Sequence, residues 1–347
     1  MFRSRYKRTR NLQALEAANL HAEAAVEATP GDHPDKAGQL SILGNILCRR
    51  YRRTGNLLDL EAAIVHAEAA VEATPEDHLV LYNVGNMLFH RYERAGNLQD
   101  LEAAIVYAEA GVEATPKDHP NKSNHLSNLG NMLFRRYERF GNLQDLEVAI
   151  IHAEAVVEAT PEDHPGKTTR LNNLVRMLFY RYERTGNLQD LGAAIAHTQA
   201  AVEATPEDDP DKAGWLNNLE VLLNCRYERT GNLQDLEAAI IHAEAAVEAT
   251  PENHPDKAGH LINLGVLLSS RYERTGNLQD LEAAILHAEA AVKATPEDHP
   301  KKAGRLTNLG NWLSNRYERT GSWRLQLFMQ RQQWNQYQRI TQTRQLC

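Results

Sequence analysis

Eight tyrosines, Tyr6, Tyr51, Tyr92, Tyr137, Tyr182, Tyr227, Tyr272 and Tyr317, recur along this chain at intervals of 45, 41, 45, 45, 45, 45 and 45 residues. Around them the phrase Arg-Tyr-Glu-Arg-Thr-Gly returns with small changes. A fixed period of this length marks a repeat array, in which each unit buries its apolar face only against its neighbours. The repeat covers residues 1–322 with no Ser/Gly linker or shift in composition. That region therefore reads as one array and not as several unrelated domains.

The unit from Pro255 to Pro300 shows what each repeat contains. Ala258, Leu261, Leu264, Leu268 and Tyr272 step by three or four, the spacing of one helix face. His254-Pro255-Asp256 is expected to open this helix, with the proline at its first position, where a missing N–H costs nothing. Thr275-Gly276-Asn277 closes it and starts a second helix. Gly276 suits a left-handed C-terminal turn, Asn277 caps the next helix, and Asp280 favours its positive end. Leu281, Ala284, Ile285, Ala288 and Val292 form the second stripe, which stops at Thr295-Pro296 because proline cannot continue a helix. Each unit is thus an antiparallel pair, helix A followed by helix B. The expected fold class is all-α, with about seven hairpins and a final unpaired helix A.

Composition narrows the function. Aromatic residues are 6% of the chain, so the core rests on Leu, Ala, Ile and Val. Lys and Arg number 38 against 46 Asp and Glu, a net charge of −8, which argues against a nucleic-acid backbone binder. Cys48, Cys225 and Cys347 form no C-x-x-C pair and no disulfide framework. The two cysteines in A helices, Cys48 and Cys225, read as small packing residues. No apolar run reaches the length of a membrane span, and Met1 to Arg10 lacks a secretory apolar core, so a cytoplasmic setting is expected.

Twelve of the fifteen histidines fall in two repeat columns, one running from His21 to His287 and the other from His33 to His299. Members of a column recur once per unit and are expected to lie one layer apart without converging. No metal site and no cofactor is expected. Neither a phosphate-cradling glycine loop nor a G-x-S-x-G elbow is present. No catalytic residue is assigned and the chain does not read as an enzyme. The arginines of the Arg-Tyr-Glu-Arg runs are expected to cover the last carbonyls of helix A and to pair with nearby Glu.

Leu129-Gly130, Ala149 and Pro161, like Leu264-Gly265, Ala284 and Pro296, resemble the tetratricopeptide repeat, with Leu-Gly in helix A, alanine early in helix B and a terminal proline. The longer unit is similar to the long-period arrays of filamentous fungi. In that family such arrays form sensor or scaffold parts of proteins with a CHAT peptidase or an NLR-like signalling domain. The resemblance implies a right-handed superhelical solenoid whose concave surface is lined by the residue before the helix-A Leu. Here that residue is Asn83, Asn128, Asn173, Asn218, Asn263 and Asn308, with Ile42 in the first full unit. A side-chain amide both donates and accepts, which matches a peptide unit whatever its side chain. Three residues on, Asn45, Asn86, Asn131, Arg176 and Asn311, with Val221 and Val266, vary as specificity positions would. The competing reading is that these asparagines bond within the array and bridge neighbouring A helices.

The implied function is a non-catalytic scaffold or sensor that binds a protein or peptide segment, with no nucleic-acid or membrane partner. Self-association through uncapped array ends is a further expectation. The alternatives are a regulatory repeat region lacking its effector domain, or a truncated product without function. Two departures stand out. Val175 and Glu220 replace the helix-A glycine. Glu220 is expected to tilt toward solvent, because an unpaired buried carboxylate is costly. The 41-residue interval lacks a Pro-Asp-Lys-Ala stretch after His78 and is expected to shorten its helix A.

After Ser322 the character changes. Residues 323–347 hold eight Gln, four Arg and no acid. Written in one choice of synonymous codons and read one base later, Leu60 to Glu68 give Trp-Arg-Leu-Gln-Leu-Phe-Met-Gln-Arg, which is Trp323 to Arg331. The tail reads as a frameshifted repeat. Its bland alternative is a basic helix that covers the last A helix.

Overall fold

The computed structural model describes residues 2–162 and 164–319, with side chains from Leu12 onward. The tail at 323–347, and with it the frameshift reading, lies outside these residues. Among the described residues there are fourteen helices and no strand. The A helices are α2 (Lys36–Thr54), α4 (His78–Ala95), α6 (Lys122–Phe140), α8 (Lys167–Thr185), α10 (Lys212–Thr230), α12 (Lys257–Thr275) and α14 (302–319). The B helices are α3 (Leu57–Ala73), α5 (Leu98–Ala114), α7 (Leu143–Glu158), α9 (Leu188–Ala204), α11 (Leu233–Ala249) and α13 (Leu278–Ala294). A single helix, α1 (Phe2–Ala28), precedes them.

The chain forms two compact units, Met1–Asp190 and Leu191–Cys347. In the first, α2 pairs with α3, α4 with α5 and α6 with α7, and each later A helix also touches the preceding A and B helices. In the second, α10 pairs with α11 and α12 with α13, and α11 packs on α12.

The turn between A and B follows from local chemistry. Gly55, Gly96, Gly141, Gly186, Gly231 and Gly276 all take φ between 70° and 74°, the left-handed conformation that ends a helix. The Gly141 N–H donates to Tyr137 O at 2.7 Å. Asn142 then accepts from Gln144 N at 3.1 Å and starts α7. In α1 the corresponding residue is Arg10, and the helix runs unbroken from Phe2 to Ala28. The first unit of the array is therefore one long helix and not a hairpin, because a residue with a Cβ resists the left-handed turn.

Some of the arginines pair with Glu as expected, Arg136 with Glu102 and Arg271 with Glu237, but their main partner is another residue. The first Arg of each Arg-Tyr-Glu-Arg run grips an aspartate in the first turn of helix B. Arg136 donates to Asp145 through Nε at 2.8 Å and Nη2 at 2.7 Å. The same two-point pair joins Arg91 to Asp100, Arg226 to Asp235 and Arg271 to Asp280. The aspartates are buried, so the pair is a rigid brace across the hairpin turn. Between hairpins the core is aliphatic: Leu60, Ala63, Leu101, Ala104, Leu146, Leu236 and Leu281 are wholly buried. Each such Leu contributes roughly 1.5–3 kcal/mol.

The B-to-A junction also differs from its expectation. Helix α12 begins at Lys257, and His254-Pro255-Asp256 is a turn before it. The His254 Nδ1 accepts from Asp256 N at 3.3 Å, as His119 does from Asn121 N at 3.1 Å. The lysine at the start of helix A folds back onto the end of the preceding helix B. Lys122 Nζ donates to Val112 O at 2.6 Å and Thr115 O at 2.8 Å. Lys36, Lys167, Lys212, Lys257 and Lys302 do the same in their own junctions. Each ammonium satisfies carbonyls that a helix end leaves open.

The 41-residue interval is where this device is missing. Helix α4 has 18 residues against 19 in α6, so the lost residues come almost wholly from the loop. Asp77 takes over, accepting from Leu79 N at 2.8 Å and Val80 N at 3.3 Å. The other departures pack inward. Val175 is buried, and so is Glu220, contrary to the expected tilt toward solvent.

Candidate functional site

The helix-A face of the second unit holds an open groove of about 610 Å³, walled by α10, α12 and α14. Asn218, Asn263 and Asn308 line it, joined by Asn217. Gly214, Gly259 and Gly304 line it as well, and a Cβ added to any of them would meet nothing within 4 Å. Packing therefore does not require these glycines. Their small size leaves helix backbone and neighbouring amides open to the groove. Arg305, only 7% exposed, adds a guanidinium that donates to Thr295 Oγ1. Lys301, Asp256 and His260 complete the polar lining.

In the first unit the same columns are engaged with each other. Asn128 Nδ2 donates to Asn86 Oδ1 at 2.7 Å and to the Tyr82 hydroxyl at 2.9 Å, both on the preceding A helix. Asn131 and Asn173 border a recess of about 10 Å³ with Arg170 and Met177, room for about one water. Arg176 lays its guanidinium over the Phe134 ring, 4.5 Å from the centroid, and its buried Nε has no hydrogen-bond partner. Asn83 and Asn45 are half-buried, and Asn311 is exposed. The structure therefore joins Asn128 to Asn86 and gathers Asn218, Asn263 and Asn308, but it does not assemble all the named positions into one site.

Residues 124–166 match the tetratricopeptide repeat family model. Among solved structures, the C-terminal part of a TPR repeat-containing protein from Cytophaga hutchinsonii is 14% identical, covers 83% of this chain and 99% of its own, and aligns with a TM-score of 0.54. The YrrB structure, of a TPR protein with an unusual peptide-binding site, is 19% identical over 66% of this chain and 96% of its own, with a TM-score of 0.44. PilF of Pseudomonas aeruginosa is 11% identical over 80% of this chain and 99% of its own, with a TM-score of 0.49. Among curated proteins none matches. Among the described residues the fold is that of a tetratricopeptide-type helical array.

Two polar features depart from what the sequence leads one to expect. The first is Glu220. Its Oε1 accepts from Asn263 Nδ2 at 2.8 Å, while the same amide nitrogen donates to Asn217 Oδ1 at 3.1 Å. Burial raises the Glu220 carboxyl to about 7, with the Asn263 hydrogen bond acting in the opposite sense. The sequence signal was the replacement of glycine by glutamate next to an asparagine column. What it did not show was that Asn263, 43 residues on, would come within reach.

The second is a cluster of histidines. Two successive members of one column, His78 and His119, do meet, contrary to expectation, and His125, which belongs to neither column, joins them. The His78 and His119 rings are 4.6 Å apart, and His78 and His125 are 5.6 Å apart. His125 stacks on Tyr82 at 4.2 Å and shares a 2.8 Å hydrogen bond with Thr115 Oγ1. The four-residue deletion moves His78 from the turn to the first residue of α4, and this brings it against its neighbour. Burial pushes His125 down to about 4, and His78, His119 and Lys122 push in the same direction. Among the described residues no group of three His, Cys, Asp or Glu side chains is placed to hold a metal ion. No described helix is long and apolar enough to cross a membrane.

Proposed function

We propose that this chain is a non-catalytic interaction scaffold that binds an extended protein segment across the helix-A face of its second unit. The observation that supports this reading best is the groove lined by Asn217, Asn218, Asn263 and Asn308 beside three glycines with open space above them. Asn218 and Asn308 offer donors and acceptors to a peptide backbone, while the Asn263 amide nitrogen between them bonds Asn217 and Glu220. The glycines let that backbone approach the helices closely. Arg305 and Lys301 supply positive charge at one end of the groove.

Affinity capture from native lysate with the full chain tests the reading. Replacing Asn218 and Asn308 by Ala is expected to deplete the captured partners. Gly214→Val and Gly304→Val fill the groove from positions where a side chain meets no neighbour, and they are expected to have the same effect without unfolding the chain. An unchanged set of partners in both variants rejects the groove.

A further inference from the structure

A second surface lies on the B helices. On α5, Gln99, Glu102, Val106, Glu109 and Glu113 are exposed and spaced by three and four, so they form one outward stripe. A glutamate stands one turn before the valine and another one turn after it. The pattern returns on α7, where Ile151 lies between Glu147 and Glu154. Leu20 on α1 and Val65 on α3 occupy the same place. These four aliphatic side chains are 60 to 66% exposed.

Isolated exposed apolar residues need no explanation, but this set is a ladder. Its members change identity, as Leu, Val, Val and Ile, without turning polar. Packing does not impose this, because the side chains face water. Nor does helix formation, since α9 forms with Gly192, Ala196 and Gln199 at the corresponding positions. The stripes recur one layer apart along the stacked hairpins, in which α4 packs on α3 and α2, and α6 on α5 and α4. The nearby arginines leave the face acidic, because Arg91 and Arg136 already grip Asp100 and Asp145. Of the stripe glutamates, Glu102 does reach Arg136, at 2.9 Å.

We propose that the outward face of α1, α3, α5 and α7 docks a cationic amphipathic protein segment, whose apolar side meets the aliphatic ladder and whose Lys and Arg meet the flanking glutamates. Charge complementarity selects this occupant. Nucleic acid and anionic lipid surfaces carry the wrong sign. The surface is separate from the helix-A groove and does not depend on it.

The full chain is titrated with a fluorescent Leu/Lys amphipathic helical peptide of about five turns. Oligolysine of equal charge and a Leu/Glu peptide serve as comparators. The Leu/Lys peptide is expected to bind with an affinity that falls as salt rises, and to bind about tenfold or more tighter than oligolysine. Val65→Ser with Val106→Ser and Ile151→Ser should weaken it by about tenfold while leaving the melting temperature in place. Glu68→Gln with Glu109→Gln and Glu154→Gln should weaken binding and flatten its salt dependence. Asn218→Ala with Asn308→Ala should leave it unchanged, which separates this surface from the groove. The proposal is overturned by any of three results: no binding at millimolar peptide, oligolysine binding as well as the Leu/Lys peptide, or the serine variant binding like the parent chain.

Discussion

The α4–α6 interface of the first unit and the α10–α12 interface of the second share a register but not a chemistry. In both, an asparagine of the later helix donates to two acceptors on the earlier one. Asn128 meets a tyrosine hydroxyl and a neutral amide, at Tyr82 and Asn86. Asn263 meets an amide and a carboxylate, at Asn217 and Glu220. The position of Glu220 is Gly85 in the earlier layer, where an added Cβ would lie 3.1 Å from Ala104 O. The repeat fixes where the amide stands, and the residue it meets decides whether the interface titrates.

The largest consequence is the pH dependence that Glu220 gives the second unit. Glu220 holds its proton up to about 7 when folded, against 4.5 ordinarily. Between these values the folded chain binds more protons than the unfolded chain, so stability falls as pH rises. The contribution is complete below about pH 4.5 and gone above about pH 7, a loss of about 3 kcal/mol. All four tryptophans, Trp215, Trp312, Trp323 and Trp334, lie beyond residue 190, so urea unfolding followed by tryptophan fluorescence reports on this unit. Glu220→Gln keeps an acceptor for Asn263 and should flatten the profile. A variant with the parent profile would remove Glu220 as the cause.

A smaller effect concerns what holds Asn263 in register. Lys257 Nζ, at the start of α12, donates to Val247 O and Thr250 O, both at 2.9 Å. Lys257→Met should cost about 2 kcal/mol in the same unfolding experiment. It should also broaden the titration of Glu220. A sharp, unmoved titration would show that other contacts set the register.

The two asparagines themselves should then separate. Asn128→Ala is expected to cost about 1 kcal/mol at every pH. Asn263→Ala should raise the Glu220 midpoint, because the amide favours the charged carboxyl. Carboxyl titration by NMR measures the second effect, and a midpoint that stays or falls would contradict the pairing. The smallest expected change is that of Val106→Ser on the outward face. It should alter stability by no more than about 0.5 kcal/mol, which thermal unfolding can check.

Much of this was legible in the residues. The tyrosine spacing gave the order of the helices, and their number except in the first unit, where one long helix stands in place of a hairpin. Gly276 and Asn277 gave the turn between A and B, and they do form the left-handed stop and the side-chain cap. The alanine and leucine stripes gave the core. What failed to show were contacts that depend on reach. The lysine that starts helix A carried no sequence signal, yet it bonds carbonyls ten and seven residues back. The first arginine of each run looked like a helix-end residue, yet it grips an aspartate nine residues on. A long flexible side chain near several acceptors leaves its choice open until the turn is folded.

By itself, then, the sequence determined the helices, their ends and their buried stripes, because those depend on residues within a turn or two of each other. The tertiary structure decided which polar groups meet across a whole repeat. It placed Asn263 against Glu220, gathered His78 with His119 and His125, and opened a groove where Gly214, Gly259 and Gly304 come into line. Each of these rests on separations of about one repeat, where a few residues gained or lost in a loop move a side chain from one neighbour to another. Local propensity is blind to that distance, and only the packing of one hairpin on the next supplies it.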